Sequence, residues 1–107
     1  MKNVLFVCSQ NRLRSPTAEQ VFSHREDVEV LSAGLDVTCG NPVTPEAVEW
    51  ADIIFVMEQA HRNKLSKRFR ASLNGQRVSV LGSPDDYEFM DPELVRILEA
   101  RVPRFLT

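Results

Sequence analysis

Four consecutive apolar, strand-favouring residues, Val4-Leu5-Phe6-Val7, constrain this chain more than any other feature, and Ile53-Ile54-Phe55-Val56 repeats them. Successive side chains of a strand point to opposite faces, so an unbroken apolar run has no face to turn to water and needs cover on both sides. Such strands belong in the middle of a parallel sheet. Val28-Glu29-Val30-Leu31 and Val78-Ser79-Val80-Leu81 mix polar with apolar residues, as expected of outer strands. Helical patterns lie between the strands. Pro16 suits a first helical position, and Ala18, Val21 and Phe22 then share a face, which predicts a helix from about Ser15 to His24. A short helix is expected from Pro45 with Val48 and Trp50, and another from Gln59 to Arg70 with Leu65 and Phe69 inward. Asn74-Gly75 marks a turn, and Leu94, Val95, Leu98 and Val102 make the stripe of a last helix beginning near Pro92. Alternating strands and helices with right-handed crossovers predict a three-layer α/β/α fold with a four-stranded parallel sheet of order 2-1-3-4. The 107 residues suit a single domain spanning 1–107.

Charge excludes some functions. Thirteen Lys and Arg against fifteen Asp and Glu leave a formal −2, which exerts no general pull on nucleic acid or an anionic membrane. No membrane partner is expected, and nucleic acid is a poor candidate. The apolar run ending at Cys8 is too short for a signal-peptide core or a span, so a cytoplasmic location is expected. Two cysteines make no disulfide framework, and Cys39 reads as a small buried hydrophobe. His24 and His61 lack partners at metal-ligand spacing and read as surface or helix-end histidines. The stretch from His61 to Arg70 holds five fixed positive charges around apolar residues at helical spacing, the pattern of a solvated basic face.

In a sheet of this order, ligands collect at the carboxyl ends of the strands beside the switch point next to strand 1. The segment starting there is Cys8-Ser9-Gln10-Asn11-Arg12-Leu13-Arg14-Ser15-Pro16. A loop of this length, wrapped before a helix, turns successive backbone N–H groups inward, and the helix dipole adds to them. Residues from Ser9 to Ser15 are therefore expected to cradle an anion, with the Arg14 guanidinium matched to two phosphate oxygens. The same field favours Cys8 as thiolate, the form that attacks phosphorus, and Ser15 is placed to donate to the sulfur. A bare Cys-x5-Arg spacing arises by chance. Its position between a buried strand and a helix gives it weight.

At these residues the chain resembles the low-molecular-weight protein tyrosine phosphatases, whose signature reads Cys-x-x-Asn-x-x-Arg-Ser-Pro-x-Ala-Glu. Cys8, Asn11, Arg14, Ser15, Pro16, Ala18 and Glu19 fit it. Ser32-Ala33-Gly34 and the stretch from Ala51 to Met57 are similar to further signatures of that family. The resemblance implies phosphate binding by Arg14, bracing of the loop by Asn11 and Ser32, and a general acid from an Asp-Pro-aromatic loop after strand 4. Asp85, followed by Asp86-Tyr87, stands in that place, with Asp86 where proline is usual. The candidate acids are Asp85 first, Asp86 second and Asp91 third, Asp91 with Pro92 reading more simply as a helix cap. Tyr87 is a candidate for the substrate pocket. Leu13 replaces the family's second loop cysteine, Arg12 adds a charge where an apolar residue is usual, and the stretch from Gly34 to Asp52 is short. The function implied is hydrolysis of a phosphomonoester, such as phosphotyrosine in a protein, through a phosphocysteine on Cys8. Inorganic phosphate is the product, and no cofactor is required. Two alternatives remain: a non-catalytic phosphate-binding regulator, and thiol-dependent arsenate reduction, for which only Cys39 is available as a second thiol.

Overall fold

The computed structural model describes residues 2–8, 14–36, 38, 40–82 and 90–103, with the backbone alone for Arg14. Its elements run β1 (Lys2–Cys8), α1 (Arg14–Phe22), β2 (Val28–Gly34), α2 (Pro45–Trp50), β3 (Ile53–Val56), α3 (Gln59–Arg68), β4 (Arg77–Val80) and α4 (Pro92–Arg101). The strands form one sheet of order β2-β1-β3-β4, and every pairing is parallel, as expected.

The two apolar runs lie side by side in the middle, with Val4 to Val7 fully buried. Their alternation divides the core. Val4, Phe6, Ile53, Phe55 and Met57 face one layer with Ala18 and Phe22 of α1 and Leu94 and Leu98 of α4. Leu5, Val7, Ile54 and Val56 face the other with Val48 of α2 and Leu65 of α3. Phe6 stacks between Phe22 and Phe55, with ring centroids 5.8 and 5.4 Å away, an offset geometry that adds to simple burial. β2 is an edge strand, and Leu31 is exposed on it.

Several boundaries move. β2 continues through Ser32-Ala33-Gly34 because those residues pair with Phe6, Val7 and Cys8. Ser, Ala and Gly are weak strand formers, and the ladder supplied by β1 outweighs their propensity. β4 begins and ends one residue earlier than expected, while Leu81 continues its line by donating from its amide to the Val56 carbonyl at 2.9 Å. α1 stops at Phe22, short of His24, and α3 stops at Arg68, short of Arg70.

Caps account for the helix starts. The Thr44 hydroxyl accepts from the Ala47 amide at 3.1 Å with Pro45 in the first turn of α2. Asp91 does the same for α4, accepting from the Glu93 amide at 2.9 Å. His61 is a helix-end histidine but not a surface one. It is buried, and its Nδ1 accepts from the Glu58 amide at 3.2 Å, closing the first turn of α3. Leu65 and Phe69 follow it inward, leaving Arg62, Lys64, Lys67, Arg68 and Arg70 exposed, which is the solvated basic face expected.

Candidate active site

β1 ends at Cys8, at the carboxyl edge of the sheet and beside the switch point that separates β2 from β3. Neighbouring backbone holds it on both sides. Cys8 pairs with Gly34, its carbonyl accepts from the Leu35 amide at 2.9 Å, and the Met57 amide donates to the Val7 carbonyl at 3.2 Å. The position of the sulfur is thus dictated by the two central strands and the end of β2.

α1 opens with Arg14 and Ser15 and brings its N-terminus to the same place. The Ser15 Oγ lies 3.0 Å from the Cys8 Sγ in a buried contact. Both residues are shielded, Ser15 completely and Cys8 to 3% exposure. A hydroxyl at this distance can donate to a sulfur anion, and a helix N-terminus beside it adds favourable potential. The contact brings together two of the residues singled out in the sequence.

Ser32 stands at the end of β2, largely buried, and its hydroxyl donates to the Glu19 carboxylate of α1. Its carbonyl accepts from the Asn41 side chain, whose own backbone carbonyl accepts from the Gly34 amide at 2.9 Å. Ser32 therefore joins β2 to the helix that carries Arg14 and Ser15. Glu19 and Asn41 were not assigned these contacts from the sequence. Glu19 had a signal in the signature match, while Asn41 had none. Thr17 was missed too. It is fully buried, and its Oγ1 accepts from the Met90 amide at 2.9 Å.

Beyond Leu35 the chain turns at Asp36, which accepts from both the hydroxyl and the amide of Thr38, at 2.7 and 2.9 Å. Those bonds, with a smaller contribution from Lys64, hold the Asp36 carboxyl below its ordinary value of 3.8. Arg68 reaches across from α3 to the Leu35 carbonyl and lies over the Phe69 ring, 5.0 Å from its centroid.

Ser9, Gln10, Asn11, Arg12, Leu13, Cys39, Asp85, Asp86 and Tyr87 lie outside the described residues, as does the side chain of Arg14. Asp91 is occupied in capping α4. Among the described residues, no three His, Cys, Asp or Glu side chains gather as a metal site, and no helix is long and apolar enough to cross a membrane. A polar groove lined by Glu49, Asp52, Ser72 and Gln76 sits where β3 and β4 begin, at the opposite end of the sheet from Cys8.

The sequence profile of the family described as Low molecular weight phosphotyrosine protein phosphatase matches residues 3–51, a span that includes Cys8, Arg14, Ser15 and Ser32. Over that span, a little under half of the chain, the sequence is similar to that family. The likeness in fold extends across the whole chain. SP-PTP, a low molecular weight protein tyrosine phosphatase from Streptococcus pyogenes, superposes with a TM-score of 0.81 at 19% identity, over 100% of this chain and 95% of that one. The tyrosine phosphatase Wzb from Escherichia coli K30, solved with phosphate, gives 0.75 at 21% identity over 98% and 96% of the two chains. A YwlE arginine phosphatase variant with a phosphorylated active-site serine gives 0.71 at 24% identity over 98% and 99%. At these identities the superpositions establish the shared fold. Among curated proteins, none matches the sequence.

Proposed function

We propose that this chain is a cysteine-dependent phosphatase that hydrolyses phosphomonoesters, phosphotyrosine in proteins foremost, through a phosphocysteine on Cys8. The contact between Cys8 and Ser15 at 3.0 Å, at the head of α1, carries the proposal. The loop from Ser9 to Ser15 is assigned to the phosphate, with Arg14 on its oxygens and Asn11 as a brace beside Ser32. Arg12 and Tyr87 are assigned to the rim of the pocket. In the first step the Cys8 sulfur forms a bond to phosphorus while the bond from phosphorus to the leaving oxygen breaks. Asp85 gives that oxygen its proton. In the second, water attacks the phosphocysteine and yields its proton to Asp85, the sulfur leaves as thiolate with the Ser15 hydroxyl donating to it, and inorganic phosphate departs. Asp86 is the second candidate for the acid. Asp91 ranks behind both, since its carboxylate already accepts from the Glu93 amide.

The covalent phosphoserine in the YwlE variant supports such a route on this fold. The proposal extends to one domain over residues 1–107 acting in the cytoplasm on a phosphorylated protein.

Hydrolysis of an aryl phosphate in the presence of chelator tests the mechanism, using wild type, Cys8→Ser, Asp85→Asn, Asp86→Asn and Asp91→Asn over a pH series. Cys8→Ser should lose activity, and full activity in that variant would sink the mechanism. The acid is the aspartate whose loss removes the limb of the pH profile that depends on protonation. Wild type that binds phosphate yet turns over nothing would instead make the chain a phosphate-binding regulator. Phosphotyrosine and phosphoarginine peptides assayed in parallel separate the two substrate classes named for proteins of this fold.

A further inference from the structure

The charges of this chain are unevenly spread. From Gln59 to Pro84 the sequence holds Arg62, Lys64, Lys67, Arg68, Arg70 and Arg77 and neither Asp nor Glu, while the remaining residues hold seven cations against fifteen acids. Arg62, Lys64, Lys67, Arg68 and Arg70 are exposed, and none of these five is ion-paired with a described residue. An exposed helix face gains from opposite charges three or four residues apart, and like charges at that spacing cost about as much. Lys64, Lys67 and Arg68 stand at that spacing with one sign only. Burial of His61, Leu65 and Phe69 holds the helix down in spite of it.

The same three residues border the candidate active site. A helix turns about 100° per residue, which puts Lys64, Lys67 and Arg68 on one side of the buried stripe of α3 and Arg62 on the other. Their side lies toward the chain that follows β2. Arg68 donates to the Leu35 carbonyl, and the Leu35 amide donates to the Cys8 carbonyl at 2.9 Å. Lys64 contributes to the lowered pKa of the neighbouring Asp36, whose carboxylate is already engaged by the amide and hydroxyl of Thr38. The three cations thus flank the carboxyl edge of the sheet where β1 delivers Cys8.

We infer that Lys64, Lys67 and Arg68 form a docking surface for an acidic segment of a phosphorylated protein substrate, close in sequence to the residue that carries the phosphate. Charge complementarity selects a polyanion, and two observations favour a peptide over a nucleic acid. Sites for single-stranded nucleic acid add aromatic platforms on which bases stack, whereas Phe69 is buried, with the Arg68 guanidinium over its ring at 5.0 Å. The surplus of acids outside residues 59–84 repels a long polyanion and leaves room for a short one. The substrate in this inference rests on the phosphocysteine reading of Cys8; the surface itself does not.

The test uses a phosphotyrosine peptide flanked by glutamates and its counterpart flanked by glutamines, and reads the ratio of their kcat/KM values. At low salt wild type should prefer the acidic peptide by more than about fivefold, through KM and not kcat. At about 1 M salt, where the screening length falls to about 3 Å, the preference should vanish. An exposed ion pair contributes about 1.4–5-fold in affinity. Lys64→Glu/Lys67→Glu turns two attractions into repulsions and should cut the ratio by about 5–50-fold. Lys64→Glu also sets a carboxylate four residues before Arg68, a favourable helical pair, so the variant should fold. Arg62→Glu/Arg96→Glu makes the same change in net charge on the other side of α3 and on α4, which packs in the other layer, and should keep the ratio within about threefold of wild type. No preference in wild type, or equal losses in the two double variants, would overturn the inference. Fluorescence anisotropy with the same acidic peptide bearing unphosphorylated tyrosine gives a readout independent of catalysis. Binding should weaken in Lys64→Glu/Lys67→Glu and persist in Arg62→Glu/Arg96→Glu; an RNA oligonucleotide that displaces the peptide at lower concentration than the peptide itself would overturn the choice of occupant. An inert wild type that binds the peptide in this pattern would uphold the surface and count against the phosphatase mechanism.

Discussion

Replacing Ser15 by alanine removes one fully buried hydroxyl, 3.0 Å from the Cys8 sulfur, at the start of α1. In the folded resting protein the loss should be modest. A neutral hydrogen bond contributes about 0.5–1.5 kcal/mol, which for a domain of this size lowers Tm by roughly 4–8 °C per kcal/mol. In the proposed mechanism the same hydroxyl faces a sulfur that carries full negative charge as it leaves phosphorus. A hydrogen bond to a charged group contributes about 1.5–3 kcal/mol. With each 1.36 kcal/mol amounting to about tenfold in rate, breakdown of the phosphocysteine should slow by about 10–150-fold. Formation of the intermediate does not expel sulfur and should be less affected. The assay is rapid mixing with 4-nitrophenyl phosphate. Ser15→Ala should show a burst of 4-nitrophenolate close to one equivalent of enzyme, followed by slow turnover, and acid quench should trap phosphate on Cys8. Steady-state turnover within about threefold of wild type, with no burst, would refute the role given to Ser15. A Tm loss of more than about 15 °C would signal a disrupted fold and not a lost donor.

Phe6→Ala should cost about 3–5 kcal/mol in denaturant unfolding, because Phe6 is fully buried between Phe22 and Phe55; Phe6→Leu, which leaves a smaller cavity, should cost less. Ser32→Ala strands the Glu19 carboxylate that its hydroxyl serves, and should lower both Tm and kcat, with Glu19→Gln added to it recovering part of the loss because a neutral amide is cheaper to leave without that donor than a carboxylate. Asp36 should titrate by NMR below 3.8, its bonds from Thr38 being the main cause, and should move toward 3.8 in Thr38→Val. The sign follows from linkage: a carboxyl with a lower pKa in the folded state contributes stability above its unfolded value, and that contribution disappears as pH falls through the folded value. A Thr38→Val protein with an unmoved Asp36 titration would contradict the assignment.

The central strands were legible because Val4 to Val7 and Ile53 to Val56 leave no polar residue to face water, and only the middle of a covered sheet accepts such a run. The outer strands were legible in kind but not in extent. Ser32-Ala33-Gly34 has no strand signal of its own and pairs because Phe6-Val7-Cys8 offers it a ladder. Asp91 read correctly as a cap, since capping is a matter of neighbouring residues. His61 did not read as buried, because its burial depends on α3 being packed down by Leu65 and Phe69.

At the site the division has the same cause. The order Cys8, Arg14, Ser15 after a buried strand and before a helix is a local pattern, and with the apolar runs it was enough to place Cys8 at the end of a central strand and Ser15 at the start of the first helix. What the tertiary structure decided are contacts between polar groups far apart along the chain. Ser32 meets Glu19, Arg68 meets the Leu35 carbonyl, and Thr17 meets the amide of Met90, 73 residues away. Apolar periodicity reports which face of an element is buried. It carries no information about which donor will stand opposite which acceptor, and that pairing exists only once the helices have been laid on the sheet.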